Sequence, residues 1–467
     1  MPTEMVQKED VAWPLARNIT AVRYEDIPQE AVATAKKSVL DILGVILGAS
    51  GTIPGIKELV ELIEEWGGKE ESTIIPFGIR VPAWAAAFTN GSMVHGLDYD
   101  DMDHFVRVHS SSSVVPAAFA IAERLGNVTG KELITAVVLG QDLMVRLGSS
   151  IPRPVLDWHK TSLCGAFAAT AASGKLLQLD TDRMVDAFGI ALCQASGTQE
   201  LRFAVENNLG GMRDAFPAKT GVLSALMAQK GISGIKTCFE GRAAFFNVFF
   251  NGQYDRDPII ANLGKTFAGI NTGYKPWPAC GMTHIFIEGT LGIMSEQDIH
   301  PGDIQEIVIH VSEDASNLCQ PIDGRRKPEA ILDAKFSLPF TVAVAATKGD
   351  VLIGDYTTEE IKNPAVLQMA EKVTPKLDPQ FNPDEGGMPT GQVEIHTKGG
   401  KTFQKRMDFP LGHAKNPLPM ERLVQKFRDC CAYSAKPIKQ ENIERVIELV
   451  TKLEGVDNVS QIMRLLT

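Results

Sequence analysis

Apolar positions recur at helical spacing through most of the first half of the chain. Between about Pro28 and Ala49, Val32, Ala35, Val39, Ile42, Leu43 and Ile46 share one face. Gly51 to Pro54 breaks that pattern, and Ile56 to Trp66 starts another amphipathic helix. The same spacing predicts helices over Trp84–His95, Val114–Leu125, Lys131–Leu147, Leu163–Leu177, Asp182–Gly197 and Thr220–Gln229. Gly126, Gly148, Gly231 and the run Pro152-Arg153-Pro154 punctuate them. Thr129 opens a Thr-Gly-Lys-Glu capping box, and Thr181 precedes an acidic first turn. Alanine-rich faces such as Ala166-Ala168-Ala169-Ala171-Ala172 suit helices packed closely on one another.

After about residue 265 the period changes from 3.6 to two. Ile304–Val311 alternates and is rich in β-branched residues, and Gln392–Thr397, Gly399-Gly400 and Lys401–Phe403 read as a hairpin. Helical patterns at Thr283–Met294, Phe336–Thr347 and Asn363–Lys372 lie between them, and Met420–Thr467 returns to helices. The fold class expected is mainly α. Residues 1–265 and 405–467 form a large all-α domain, and 266–404 form a smaller α+β lid. A chain of 467 residues exceeds what one simple core usually serves.

Composition narrows the function classes. The chain is 44% hydrophobic and 22% charged, with a formal net charge of -11 and no block of basic residues. That balance argues against nucleic acid or an anionic membrane as partner. Residues 1–10 hold no apolar targeting core, and no uncharged run reaches membrane-spanning length, so a cytoplasmic protein is expected. The seven cysteines form no CxxC pair and read mostly as small buried hydrophobes.

Polar chemistry concentrates in one place. Within the nineteen residues His95–Ser113 fall four aspartates, three histidines, Arg107 and four serines, flanked by Ala85–Phe88 and Val114–Ala120. A solvated acidic loop would account for them, but apolar flanks on both sides favour the lining of a cleft. Asp98, Asp100, Asp101, His104 and His109 also resemble a ligand list for Mg²⁺ or Mn²⁺. A second cluster is Trp158-His159-Lys160-Thr161-Ser162, where His159 could cap a helix or meet an anion at its start. A third is Gly273-Tyr274-Lys275-Pro276-Trp277-Pro278-Ala279-Cys280-Gly281-Met282-Thr283-His284, stiffened by two prolines. Taken alone, Lys275 would ordinarily be a surface lysine.

These three clusters, with Asp333–Phe340 and Phe409–Leu418, resemble the signature blocks of the MmgE/PrpD family, which includes 2-methylcitrate dehydratase, cis-aconitate decarboxylase and iminodisuccinate epimerase. The resemblance spans nearly the whole chain. It implies a homodimeric, cofactor-independent enzyme with no metal, acting on a small carboxylate substrate. Asp98, His109 and His159 match family positions individually, whereas His104 is added by proximity, and these four form the expected catalytic set. Proton transfer is assigned to the histidines and orientation to Asp98, and all are expected to converge on one pocket. Lys275, Cys280, His284 and Ser110 are expected to contact substrate. Two departures stand out. Lys160 replaces the proline of a WHPT-like segment. Where many relatives carry T-K-x-x-H-x-G, Gly210 falls at the lysine and Arg213 at the histidine. Arginine suits a carboxylate but cannot transfer a proton at working pH, so Arg213 is expected to bind substrate.

The expected activity is that of a dehydratase of a hydroxylated di- or tricarboxylic acid, a lyase. An epimerase or isomerase comes second, a decarboxylase third, and a helical binding or scaffold protein is the non-enzymatic alternative. Dinucleotide and P-loop motifs are absent from the sequence.

Overall fold

A computed structural model describes residues 9–152, 157–203, 207–382 and 390–467, without the side chains of 202 and 203. The Pro152-Arg153-Pro154 break runs into residues outside that set. The chain divides into two compact units. The first holds residues 1–96, 100–272 and 430–467, and the second holds 97–99 and 273–429.

The first unit is a packing of helices. Gln29–Thr52 is buried along most of its length, and it packs on Ala83–Val94 and Gly130–Ser150. Lys160–Leu176 and Ala215–Gln229 lie close together because small residues let them. A Cβ on Gly221 would stand 2.4 Å from the backbone carbon of Ala169. The helix Gly130–Ser150 starts at the expected capping box, with Thr129 accepting from the Glu132 amide and Glu132 reaching back. Two boundaries differ from the sequence reading. Ala215–Gln229 begins five residues before Thr220, because Pro217 falls in its first turn, where a missing N–H is harmless. Thr181–Leu192 is capped by Asp180, whose side chain accepts from the Arg183 amide 2.9 Å away, and it stops short of Gly197.

The second unit is built on a four-stranded sheet, ordered Val373–Leu377, Ile304–Val311, Gly391–Thr397, Thr402–Met407. The first pair is parallel and the others antiparallel, with Ile307 opposite both Val373 and Ile395. Gly391–Thr397 buries alternate residues, as its period-two pattern requires. His284–Gln297 and Leu338–Lys348 complete the core, where Phe286, Phe340, Ile307, Ile309, Val393 and Ile395 are buried. Val373–Leu377 was missed by the sequence reading because Pro375 interrupts it; as an edge strand it tolerates the lost donor.

This unit continues to Asp429, past the boundary expected at 404. Backbone and side-chain bonds hold the extra stretch. The Tyr274 amide donates to Gly412 O at 2.9 Å, the Leu411 amide donates to Glu288, and Arg422 pairs with Asp350 at 2.9 Å. Of the seven cysteines, six are buried and Cys193 is exposed. Among the described residues no single helix is long and apolar enough to cross a membrane.

Candidate functional site

In the first unit the helix Ala83–Val94 ends at His95, and the chain returns to this unit at Asp100. The fully buried Asp100 carboxylate then stands between two imidazoles. His95 Nδ1 is 2.9 Å from Oδ1, and His109 Nδ1 is 2.7 Å from Oδ2. The two rings meet edge to face with centroids 4.7 Å apart. His109 Nδ1 is also 2.8 Å from the backbone carbonyl of Asp101. A carbonyl only accepts, so Nδ1 carries a proton, and the lone pair with which the ring can act as a base is that of Nε2.

The electrostatics separate the two adjacent carboxyls. Burial alone would raise Asp100, but His109 and His95 outweigh it and hold the group well below the usual carboxylate range. Burial pushes Asp101 up to about 7, and the nearby Asp41 adds to the shift. Asp101 is bonded by Ser111 and by Ser38, and Gln141 Nε2 donates to both serine hydroxyls at 2.8 Å. One carboxyl is thus kept ionised beside His109 while its neighbour titrates near neutrality. Burial, helped by the Arg213 guanidinium, pushes His95 down to about 3 and keeps its ring neutral.

His159 caps the helix Lys160–Leu176. Its Nδ1 accepts from the Ser162 amide at 3.3 Å, and Ser162 Oγ is 2.8 Å away. An amide only donates, so the proton of the neutral His159 ring lies on Nε2, the opposite arrangement from His109. The His109 amide donates to Thr161 Oγ1 at 3.3 Å, so the two histidine segments are neighbours. Lys160, the residue that departs from the proline pattern, donates to Val106 O at 2.6 Å and Gly148 O at 3.2 Å. Ser110 Oγ pairs with Thr272 Oγ1 at 2.7 Å. His104 is buried in the turn closed by the bridge between Asp103 and Val108. Arg213 is buried and donates to Gly210 O at 3.2 Å.

The second unit holds its own cluster around Leu97–Tyr99. Asp98 adopts φ 52°, and Lys275 Nζ donates to its carbonyl at 3.0 Å and to its carboxylate. Lys335 donates to Leu97 O at 2.8 Å, and Lys426 donates to Tyr99 O at 2.5 Å. Three lysines therefore hold three successive carbonyls. Burial lowers Lys335 to about 8. His284 Nε2 lies 3.1 Å from Ala279 O, and burial, with Lys275, pushes it down to about 3. Cys280 is buried, and its amide donates to Lys335 O at 3.1 Å.

Of the residues singled out from sequence, His109 and His159 fall on adjoining segments of the first unit. Asp98, Lys275, Cys280 and His284 belong to the second. Lys275 is no surface lysine: its side chain is 3% exposed and paired with a carboxylate. The metal-like set also differs from the one read in the sequence. His95, Asp100 and His109 have ligand atoms within 4.8 Å of one another, whereas Asp98 pairs with Lys275 and Asp101 with serines. A divalent cation bound through Nδ1 would force both rings into the Nε2–H tautomer, next to the Arg213 charge. Asp100 was read only as part of the metal-like set, and His95, Lys335 and Lys426 were assigned no role. Only the spacing of His95 and Asp100 around one turn hinted at their pairing.

Residues 14–257 match the MmgE/PrpD N-terminal domain, and residues 277–452 match the MmgE/PrpD C-terminal domain. The chain belongs to the MmgE/PrpD family. Among its relatives, the cis-aconitate decarboxylase of Aspergillus terreus is 26% identical over 95% of this chain and 93% of its own. That of Mus musculus is 25% identical over 98% of this chain and 93% of its own. The mitochondrial 2-methylcitrate dehydratase of Yarrowia lipolytica is 21% identical over 85% and 80%. At Gly210, where the family resemblance led us to expect a lysine, the backbone leaves no room for a side chain. A Cβ on Gly210 would stand 2.6 Å from Leu201 O, so a lysine does not fit this backbone.

Proposed function

We propose that the chain is a lyase acting on a di- or tricarboxylic acid, and that its reaction is the loss of water from a hydroxylated substrate. The observation that carries this reading is the opposed hydrogen bonding of the two rings: His109 Nδ1 faces the Asp101 carbonyl, and His159 Nδ1 faces the Ser162 amide. Dehydration needs one group to take a proton and another to give one. His109 Nε2 takes the proton from the carbon beside a carboxylate, while Asp100 holds the ring and favours the imidazolium that forms. The electron pair forms the new double bond as the carbon–oxygen bond breaks. His159 Nε2–H protonates the departing hydroxyl, water leaves, and the proton that His109 took passes back to His159, so that both rings end neutral. Arg213, fixed as a cation, stabilises the charge that gathers on the carboxylate.

Decarboxylation is the second reading, favoured by the cis-aconitate decarboxylases among the relatives. There the bond to the departing carboxylate breaks, the electron pair stays on carbon, and His159 gives that carbon a proton. His109 would take no proton from carbon in that case. Assay of a panel of citrate-, aconitate- and succinate-like acids against His109→Ala and His159→Gln tests both. Loss of turnover in both variants supports dehydration. Turnover that survives in His109→Ala but not His159→Gln points to decarboxylation, and no turnover of any polycarboxylate by the wild type sinks both.

A further inference from the structure

Two buried polar groups of the second unit take no part in the chemistry above. Lys335 ends the short helix Ile331–Lys335, and Tyr356 ends the turn Ile353–Tyr356; each is 4% exposed. The Lys335 ammonium carries three N–H donors, and one goes to Leu97 O at 2.8 Å. The Tyr356 hydroxyl is out of contact with solvent and has no hydrogen-bond partner. Lys335 Nζ lies 5.6 Å from the centre of the Tyr356 ring. A buried hydroxyl with nothing to bond is disfavoured, and native structures rarely keep one without a reason.

We propose that Lys335 and Tyr356 form a binding recess for one carboxylate group within the second unit. The ammonium and the hydroxyl are both donors, and a planar carboxylate offers two acceptor oxygens to match them. The neighbouring charges fit this assignment. Burial disfavours the charged form of Lys335 and Lys275 adds to that, while Asp98 offsets only part of it, so the ammonium lacks full compensation. A bound carboxylate supplies it. The choice of carboxylate over other anions rests on the polycarboxylate reading given above, whereas the donor pair does not.

The test uses the full-length protein, with tricarballylate as a non-hydroxylated tricarboxylate probe and sulfate as a simple anion, at matched ionic strength. Binding is followed by calorimetry and by the shift in melting temperature. Tyr356→Phe removes a hydroxyl that bonds nothing, so the unliganded variant should melt at or above the wild-type temperature. Its affinity for tricarballylate should fall roughly tenfold, the loss expected for a hydrogen bond to a charged group. Lys335→Met should weaken binding further; if it does not fold, Tyr356→Phe still decides. Wild-type affinity in Tyr356→Phe overturns the recess and leaves the polycarboxylate reading standing. Sulfate binding that is lost in the variants, without any tricarballylate binding, keeps an anion recess and removes the polycarboxylate reading. Failure of the wild type to bind either probe overturns the recess.

Discussion

The Nδ1 of His109 lies 2.8 Å from the backbone carbonyl of Asp101, and that one contact fixes which nitrogen of the ring can act as a base. With Nδ1 held as a donor to Asp101 and Asp100, only Nε2 can accept.

Asp100→Asn tests that arrangement. The amide would present a donor to at least one of the two Nδ1 atoms, turning one ring toward the wrong tautomer. Turnover should fall by about 10² to 10⁴, the worth of a positioned acid or base. Circular dichroism should be unchanged. Wild-type turnover in Asp100→Asn would remove His109 as the base.

The Asp101 carboxyl gives a pH dependence with a definite sign. Its folded value is raised to about 7, so the folded protein holds a proton that the unfolded chain has lost by about pH 4. Its contribution is full below the unfolded value and disappears as pH rises through about 7. The linkage amounts to roughly 4 kcal/mol at most. Asp101→Asn should flatten the fall in melting temperature between about pH 5 and 8. An unchanged slope would show that Asp101 titrates normally.

Burial of Lys275 changes what its substitution does. A surface lysine could be cut to alanine with little effect, but this one pairs with Asp98 at 3% side-chain exposure. Lys275→Ala strands a buried carboxylate and should cost about 3–5 kcal/mol in urea unfolding. Adding Asp98→Asn should recover part of that loss, since asparagine tolerates the positive φ at this position. Strict additivity of the two changes would deny the pairing.

His95, Asp100 and His109 are close enough to hold a metal, and that suggests an inhibitor more than a cofactor. Dialysis against a chelator should leave turnover unchanged. Added Zn²⁺ should inhibit, because binding at Nδ1 forces both rings into the Nε2–H tautomer and removes the lone pair of the base. Activity lost on chelation and restored by a divalent ion would reverse the assignment.

The helices of the first unit and the central strand Ile304–Val311 were legible because their apolar positions keep one period over many residues. Val373–Leu377 was not, since Pro375 contradicts the local pattern and only the neighbouring strand explains it. The site was legible in its residue types and less so in their pairing. His109 and His159 stood out as histidines in polar clusters, but periodicity says nothing about which carboxylate a ring will meet. His95 looked like the end of a helix, yet it shares Asp100 with His109. Lys335 and Lys426 lie hundreds of residues from the carbonyls they hold, a separation no local pattern encodes.

The central claim is that His109 moves a proton from carbon. Proton NMR in D₂O, on whichever polycarboxylate the enzyme turns over, tests it most directly. Wild type run in both directions should place one deuterium on the carbon beside a carboxylate. His159→Gln should still exchange that position while failing to complete the elimination, and His109→Ala should do neither. Deuterium incorporation by His109→Ala at the wild-type rate would contradict the account.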